Sequence, residues 1–313
     1  MENLEVYDAV KRWHLKLRTK SGRETSTQRV WDHYLNIFLE KVAHKDPDEL
    51  IAERRQHLKS DDQLIRRQHE ELVTKFVSEL QSQGAPSNTV KTAVAGIRSF
   101  YSANYVDLTT IETPRGISVR TVRIPTPEHL RAVCEVADPM TKAYVLCAKD
   151  CGMSISDMLR LSLDWESPLY GSLKQQLAEG RTPLHLHVVR EKTAISFNTF
   201  LGPDAIQSLK EYQPSTSTLF TCTDKTIRNR LKTASRKAKL GYTLQSHAIR
   251  KFFNTYMKLA GVNEALVETW MGHSLGGVRG AYFMPQTEES VLPRIEDMAK
   301  VYMENYKAIK VLV

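Results

Sequence analysis

Along most of this 313-residue chain, apolar residues recur at three- and four-residue intervals, and between residues 183 and 201 the period changes to alternation. Repeated helical periods commit the chain to a mainly α fold, and one alternating pair of runs adds a small antiparallel β-hairpin. In that hairpin LHLHVV is the outgoing strand, REKTA the turn and ISFNTFL the return. Lys192 then lies at the tip, and Arg190, two residues earlier, shares its side of the strand.

A second break in periodicity divides the chain. Residues 107–123 carry prolines, a glycine and arginines (Arg115, Arg120 and Arg123) and read as an extended interdomain linker. Before it, helical patterns are expected over residues 26–42, from DPDEL at 46–50, over 63–81 and from Ser87, with Ser87 as N-cap. They place Val30, Tyr34, Ile37, Phe38, Leu64, Leu72, Phe76, Val90 and Ile97 inward, in a helical domain spanning 25–106. Residues 1–24 are basic and amphipathic and read as an arm for DNA or a neighbouring subunit. After the linker, a second domain covers 124–286, opening at Thr126 as N-cap with Pro127 in the first turn. A helical tail, 287–313, has an apolar stripe of Ile295, Met298, Tyr302 and Ile309 that fits either a neighbouring subunit or its own domain.

Charge placement narrows the partners. The net charge is +8, and residues 224–251 hold nine Lys and Arg against one acidic residue, a local surplus equal to the total. Such a field suits a polyanion, with Lys225, Arg228 and Lys232 on the outer face of one helix as DNA contacts. Lys91 and Arg98 share a face of the helix from Ser87 and read equally as phosphate contacts or as solvated charges. The four cysteines form no C-x-x-C pair and read as reduced core residues, and His185 with His187 lacks a third ligand and reads as a surface pair. The N-terminus lacks an uninterrupted apolar centre and no run reaches membrane length, so a cytoplasmic protein with no membrane partner is expected.

The chemistry concentrates in residues 246–282. SHAIRKFFNTYMKLAGV reads as a helix whose first turn puts His247 and Arg250 on one face, where imidazole and guanidinium can converge on an anion. NEALVETWM reads as a second helix ended by Gly272, so that His273 projects from the turn, and Tyr282 follows nine residues later in AYFMP. A phenol has an ordinary pKa of about 10 and needs a base and a cationic pocket to attack phosphorus.

His247-x-x-Arg250, MGHS around His273, and Tyr282 in this order and spacing resemble the tyrosine recombinase, or phage integrase, family. The resemblance implies a core-binding (SAM-like) helical bundle followed by a catalytic domain of the DNA breaking-rejoining fold. It implies a catalytic set of Tyr282 as nucleophile, Arg250 and His273 as phosphate ligands, His247 as proton-transfer partner and Lys192 as acid to the departing 5′ oxygen. It further implies a 3′ phosphotyrosyl intermediate, no metal or other cofactor, double-stranded DNA target sites as partners, and four protomers on two duplexes. With DNA as its partner, it also implies a place beside the nucleoid and no small-molecule substrate. One position departs from the pattern. Where the family reads Gly-x-Arg-x-Ser-Glu, this chain has Ser154, which lacks the permanently charged fork of an arginine. Arg190 is the expected surrogate, with Arg160 and Arg181 behind it. Two alternatives stay open: a type IB topoisomerase-like strand relaxer, which shares this chemistry, and a DNA-binding accessory protein whose catalysis is impaired by Ser154.

Overall fold

The computed structural model describes residues 4–21, 26–109, 111–115, 122–191, 194–214, 216–273 and 291–312. They form two compact units, Met1–Thr121 and Val122–Val313.

The first unit is a helical bundle of α1 (Asp8–Ser21), α2 (Ser26–Phe38), α3 (Pro47–His57), α4 (Gln63–Arg66), α5 (Gln68–Ser82) and α6 (Ser87–Ala103). Its core is aromatic, with Trp13, Phe38, Phe76 and Phe100 wholly buried. The expected basic arm is largely α1, a full member of this bundle. Val10 and Trp13 are fully buried, and the orphan N–H groups of Asp8 and Ala9 donate to the Asp48 carboxylate at 3.1 and 2.7 Å. A buried apolar stripe and a carboxylate at the helix start hold residues that composition alone presents as a loose basic segment.

Two inner helices also depart from the periodicity. The single helix expected over 63–81 breaks at Arg67, because the Arg66 carbonyl accepts a hydrogen bond from Arg54 Nη1 at 2.5 Å. Leu64 is consequently 72% exposed, and Val30 also faces outward rather than into the core. Ser87 is the first helical residue, with Pro86 at the N-cap position and no side-chain cap. Arg54 closes the unit: it binds the Glu70 carboxylate through both Nη atoms, at 2.9 and 2.7 Å, and donates to the Asp107 carbonyl at 3.0 Å. Glu70 in turn accepts from the Thr109 amide at 3.0 Å. The first residues of the expected linker are therefore fastened to this unit, and Leu108 and Ile111 enter its core.

The second unit is built round α8 (Pro139–Cys151), buried on nearly all sides from Ala143 to Cys151. α7 (Pro127–Val136) precedes it, with Thr126 capping as expected. α9 (Ile155–Leu159), a two-stranded pair β1 (Glu166–Ser167) and β2 (Gly171–Ser172), and α10 (Leu173–Ala178) lead to the predicted hairpin. That hairpin is β3 (Leu184–Val189) and β4 (Ser196–Leu201), antiparallel with Leu184 opposite Leu201 and Val189 opposite Ser196. Then follow α11 (Pro203–Tyr212), α12 (Asp224–Lys237), α13 (Ser246–Leu259), α14 (Glu264–Trp270) and α15 (Val291–Asn305).

The tail packs on its own unit: Ile295, Met298, Tyr302 and Ile309 are buried with the α8 residues in one core. A buried polar cluster pins it there. Lys149 Nζ lies 2.5 Å from the Asp150 carboxylate, 2.7 Å from that of Asp204 and 3.0 Å from the Tyr306 hydroxyl. Asp204 also accepts from the Val311 amide at 2.7 Å. The physical reason is α8 itself, whose charged residues cannot reach water and take their partners from α11 and from the tail.

Candidate active site

Of the residues expected to handle phosphate, Arg250, His273 and Arg190 meet where two helices end. α8 stops at Gly152 (φ 62°), and α14 stops at Met271 and Gly272 (φ 68°). The carbonyls at a helix C-terminus lack intrahelical partners and carry partial negative charge. Here they receive guanidinium groups: Arg250 donates from Nη1 to the Gly152 carbonyl at 2.6 Å and from Nη2 to the Met271 carbonyl at 2.8 Å. Both glycines are needed for space as well as for φ. A Cβ at Gly152 would stand 2.5 Å from Phe253 Cδ1, and one at Gly272 would stand 2.7 Å from Phe197 Cδ1.

Arg250 is 6% exposed. Burial, reinforced by the neighbouring charge of Arg190, lowers its pKa to about 10, which still leaves it cationic at neutral pH. His273 meets it directly, with Nε2 at 2.5 Å from Arg250 Nη2. On its other side, His273 Nδ1 contacts the Glu268 carboxylate. Glu268 is itself held by Asn254 Nδ2 at 2.9 Å and Lys258 Nζ at 2.6 Å. Burial works against its ionisation, but the hydrogen bonds from Lys258, His273 and Asn254 outweigh it and bring its pKa down to about 2.

His247 lies one helical turn before Arg250 and is exposed. Partial burial and then the charges of Lys251, Arg250 and His273 lower its pKa, which favours the neutral, proton-accepting ring.

Arg190 extends from the end of β3 and donates from Nη1 to the Gly272 carbonyl at 2.9 Å, next to His273. Its Nε is buried with no hydrogen-bond partner among the described residues. Ser154, at the departing position, caps α9 and donates to Asp157 Oδ2 at 2.7 Å. The other oxygen of Asp157 accepts from the Glu191 amide at 3.0 Å, so the serine's own helix anchors the hairpin beside Arg190. The weaker candidates are engaged elsewhere: Arg160 reaches the Val189 carbonyl at 3.4 Å, and Arg181 stacks on Tyr170 and pairs with Glu179. Lys192 and Tyr282 lie outside the described residues.

Sequence reasoning missed Glu268 and Asp157. Glu268 is held by Asn254 and Lys258 of another helix, which no local spacing marks. Asp157 stands at the acidic position of the Gly-x-Arg-x-Ser-Glu pattern, but its hold on the Glu191 amide depends on the hairpin. It also misplaced His185, which is 1% exposed. Its Nδ1 lies 2.7 Å from the Ser167 hydroxyl and its Nε2 lies 3.0 Å from Asn198 Oδ1, which His187 Nδ1 also contacts at 3.0 Å. β1 covers this face of the hairpin, burial lowers the His185 pKa to about 4, and the ring is a neutral core residue. Among the described residues no His, Cys, Asp and Glu group is arranged to hold a metal ion. No helix among them is long and apolar enough to cross a membrane.

The basic helix is α12. Lys225 and Lys232 are exposed, whereas Arg228 is tied to its own Asp224, with Nη2 to Oδ2 at 2.9 Å. Lys232, Arg236 and Lys239 line a cleft of about 630 Å³ with Tyr242, and Arg123 packs over the Tyr242 ring at 4.7 Å. In the first unit, Lys91 and Arg98 are exposed on α6, and Arg98 borders a groove with Lys16 and Asp107.

Compared by sequence, the chain matches no protein-family model and no curated protein. Compared by structure, it resembles a lambda integrase dimer bound to a COC′ core site, at a TM-score of 0.61 and 11% identity over 90% of this chain and 97% of that one. It resembles the Tn1549 transposon integrase in complex with transposon right-end DNA similarly, at a TM-score of 0.59 and 11% identity over 93% and 99% of the two chains. The chain has the fold of the tyrosine recombinases. A lambda integrase tetramer bound to a Holliday junction also matches, at a TM-score of 0.51 and 12% identity over 83% of this chain and 80% of that one. Within this fold, the α8 and α14 termini and the end of β3 bring Arg250, His273 and Arg190 together.

Proposed function

We propose that this protein is a site-specific DNA recombinase that cleaves and rejoins DNA through a 3′ phosphotyrosyl intermediate. The observation that carries the reading is the convergence of Arg250, His273 and Arg190 at the ends of α8 and α14. Two guanidinium groups that repel one another and are held by backbone carbonyls form a cationic pocket that an entering phosphodiester relieves. Solved structures of the same fold are integrases on core-site DNA, on transposon-end DNA and, as a tetramer, on a Holliday junction, which supports DNA as substrate and a tetrameric synapse.

In the proposed reaction the Tyr282 oxygen attacks the scissile phosphorus and the phosphorus–O5′ bond breaks. His247, neutral by its environment, takes the phenolic proton, and Lys192 supplies one to the departing 5′ oxygen. Arg250 and Arg190 hold the negative charge that gathers on the non-bridging oxygens, with His273 set against the Arg250 guanidinium. Arg190 fills the role that Ser154 cannot. Because the ester bond is exchanged rather than hydrolysed, the 5′ hydroxyl of a second strand reverses the step without an external energy source. Lys225 and Lys232 of α12 and Lys91 and Arg98 of α6 are the proposed contacts to the duplex, with Arg228 contributing once Asp224 releases it.

A nicked suicide duplex carrying the target site tests the reading, since the cleaved fragment diffuses away and the covalent complex accumulates. The expected result is a DNA adduct that Tyr282→Phe abolishes. No adduct from protein that binds the DNA would refute it. Relaxation of supercoiled plasmid without site preference would transfer the chemistry to a topoisomerase-like role.

A further inference from the structure

The hydrogen bonds round His273 fix its tautomer. An arginine N–H can only donate, so Nε2 of His273, 2.5 Å from Arg250 Nη2, must be the acceptor. The ring proton therefore sits on Nδ1, which faces the Glu268 carboxylate and donates to it. Glu268 is rigid in turn. One carboxylate oxygen accepts from Asn254 and Lys258 of α13 at 2.9 and 2.6 Å, and the other serves His273. Asn254 and Lys258 stand one and two helical turns beyond Arg250 on the same helix, so α13 positions the guanidinium directly and the imidazole through Glu268. The backbone joins in, because the His273 amide donates to the Glu268 carbonyl at 3.0 Å.

We propose that Glu268 is a positioning residue of the phosphate site: it holds His273 as the Nδ1–H tautomer, so that Nε2 steers the Arg250 guanidinium. The geometry resembles the carboxylate that orients an imidazole in a hydrolytic triad, where the carboxylate sets tautomer and angle and takes no proton itself. Its Oε1 ligands matter for the same reason: with Lys258 and Asn254 bound, the carboxylate stays ionised and cannot turn away from the ring. Without Glu268 the imidazole is free to flip or to carry its proton on Nε2. An Nε2–H would point a donor at a donor and push Arg250 away from its place. The inference rests on the recombinase reading for its catalytic consequence, and on the hydrogen-bond geometry alone for the tautomer.

The test uses the full chain in two arms. In the first, ring nitrogen shifts of histidine-labelled protein without DNA report the tautomer of His273, assigned by its loss in His273→Gln. The expected result is Nδ1–H in the parent and in Glu268→Gln, whose amide oxygen still accepts the proton, and loss of that signature in Glu268→Ala. An Nε2–H ring in the parent overturns the proposal without any variant having to fold. In the second arm, covalent trapping on suicide DNA falls roughly tenfold to a hundredfold in Glu268→Ala, the usual loss when a group orienting a functional imidazole is removed. DNA affinity stays unchanged, and Glu268→Gln restores most of the rate. Trapping by folded Glu268→Ala at the parent rate overturns the proposal. If the parent forms no adduct, the recombinase reading fails and the tautomer arm alone decides the role of Glu268.

Discussion

Arg190 and Gly272 are joined by a hydrogen bond of 2.9 Å from guanidinium Nη1 to carbonyl oxygen, which ties the end of β3 to the turn that presents His273. Burial and then the charge of this guanidinium lower the Arg250 pKa, so the two cations stand close enough to act on one anion. Arg190→Ala is expected to lower covalent trapping by about 10²–10³-fold, the cost of deleting one preorganised donor to a charged transition state. Arg190→Lys should recover only part of it, since an ammonium cannot hold the Gly272 carbonyl and a phosphoryl oxygen in one plane. Trapping by Arg190→Ala at the parent rate would remove Arg190 from the site.

Ser154 has a structural duty that an arginine cannot take over. It caps α9 and orients Asp157, which holds the Glu191 amide of the hairpin. Ser154→Ala is expected to cost about 1 kcal/mol, the typical value of an N-cap, measurable by urea denaturation. Ser154→Arg loses that cap and brings a third cation toward Arg190 and Arg250. Trapping no faster than in the parent is expected, and a clear gain would show the serine to be a defect.

The parts legible from sequence were those in which one element carries the signal. His247 and Arg250 share one helix, and Arg190 stands one residue past one strand, so local period gave their faces while the family resemblance gave their roles. The role of Glu268 was invisible because it depends on contacts with α13, and that of Asp157, though it stands at the acidic position of the quoted pattern, because it depends on the hairpin. His185 was misread for a related reason: alternation places it on a face but does not tell that β1 and Asn198 cover that face. The basic first segment was misread because its charges dominate composition while its burial rests on few residues, Val10 and Trp13 above all. In the first unit, the helix break at Arg67 required the Arg54 contact to be seen.

Lys225 and Lys232 predict a salt dependence. Both are exposed on α12 with no hydrogen bond or ion pair among the described residues, whereas Arg228 is paired with Asp224. Replacing either lysine with alanine should weaken DNA binding evenly across sequences and reduce the slope of log affinity against log salt by about one. Arg228→Ala should change the slope less. A larger loss from Arg228 than from the lysines would reverse the assignment.

The proton inventory of His247 sets the acid limb of the reaction. Its pKa lies below the ordinary 6.5 because of partial burial and the charges of Lys251, Arg250 and His273. A histidine with a lowered pKa is neutral above 6.5 and gains its proton only as the pH falls below that value. Single-turnover trapping is therefore expected to be insensitive to this group above pH 6.5 and to decline at lower pH. In His247→Gln the rate should be lower throughout and that decline absent. A decline centred above pH 6.5 that vanishes in His247→Gln would contradict the environment described.

The tail is held to α8 by buried charges, and that makes it the part of the second unit most sensitive to single changes. Lys149 is fully buried between the carboxylates of Asp150 and Asp204, and the Tyr306 hydroxyl completes the set. Lys149→Met leaves two buried carboxylates facing each other, and removing one member of such a set costs about 3–5 kcal/mol. Tyr306→Phe removes hydrogen bonds at 3.1 Å to Asp150 and 3.0 Å from the Asp204 amide without removing a charge, for an expected cost of about 1–3 kcal/mol. In a urea titration both variants should shift the midpoint of the second unit, Lys149→Met by more. The double variant Lys149→Met with Asp204→Asn should recover part of the loss by deleting one unpaired charge, and a double variant less stable than Lys149→Met would show that the lysine is not what compensates Asp204.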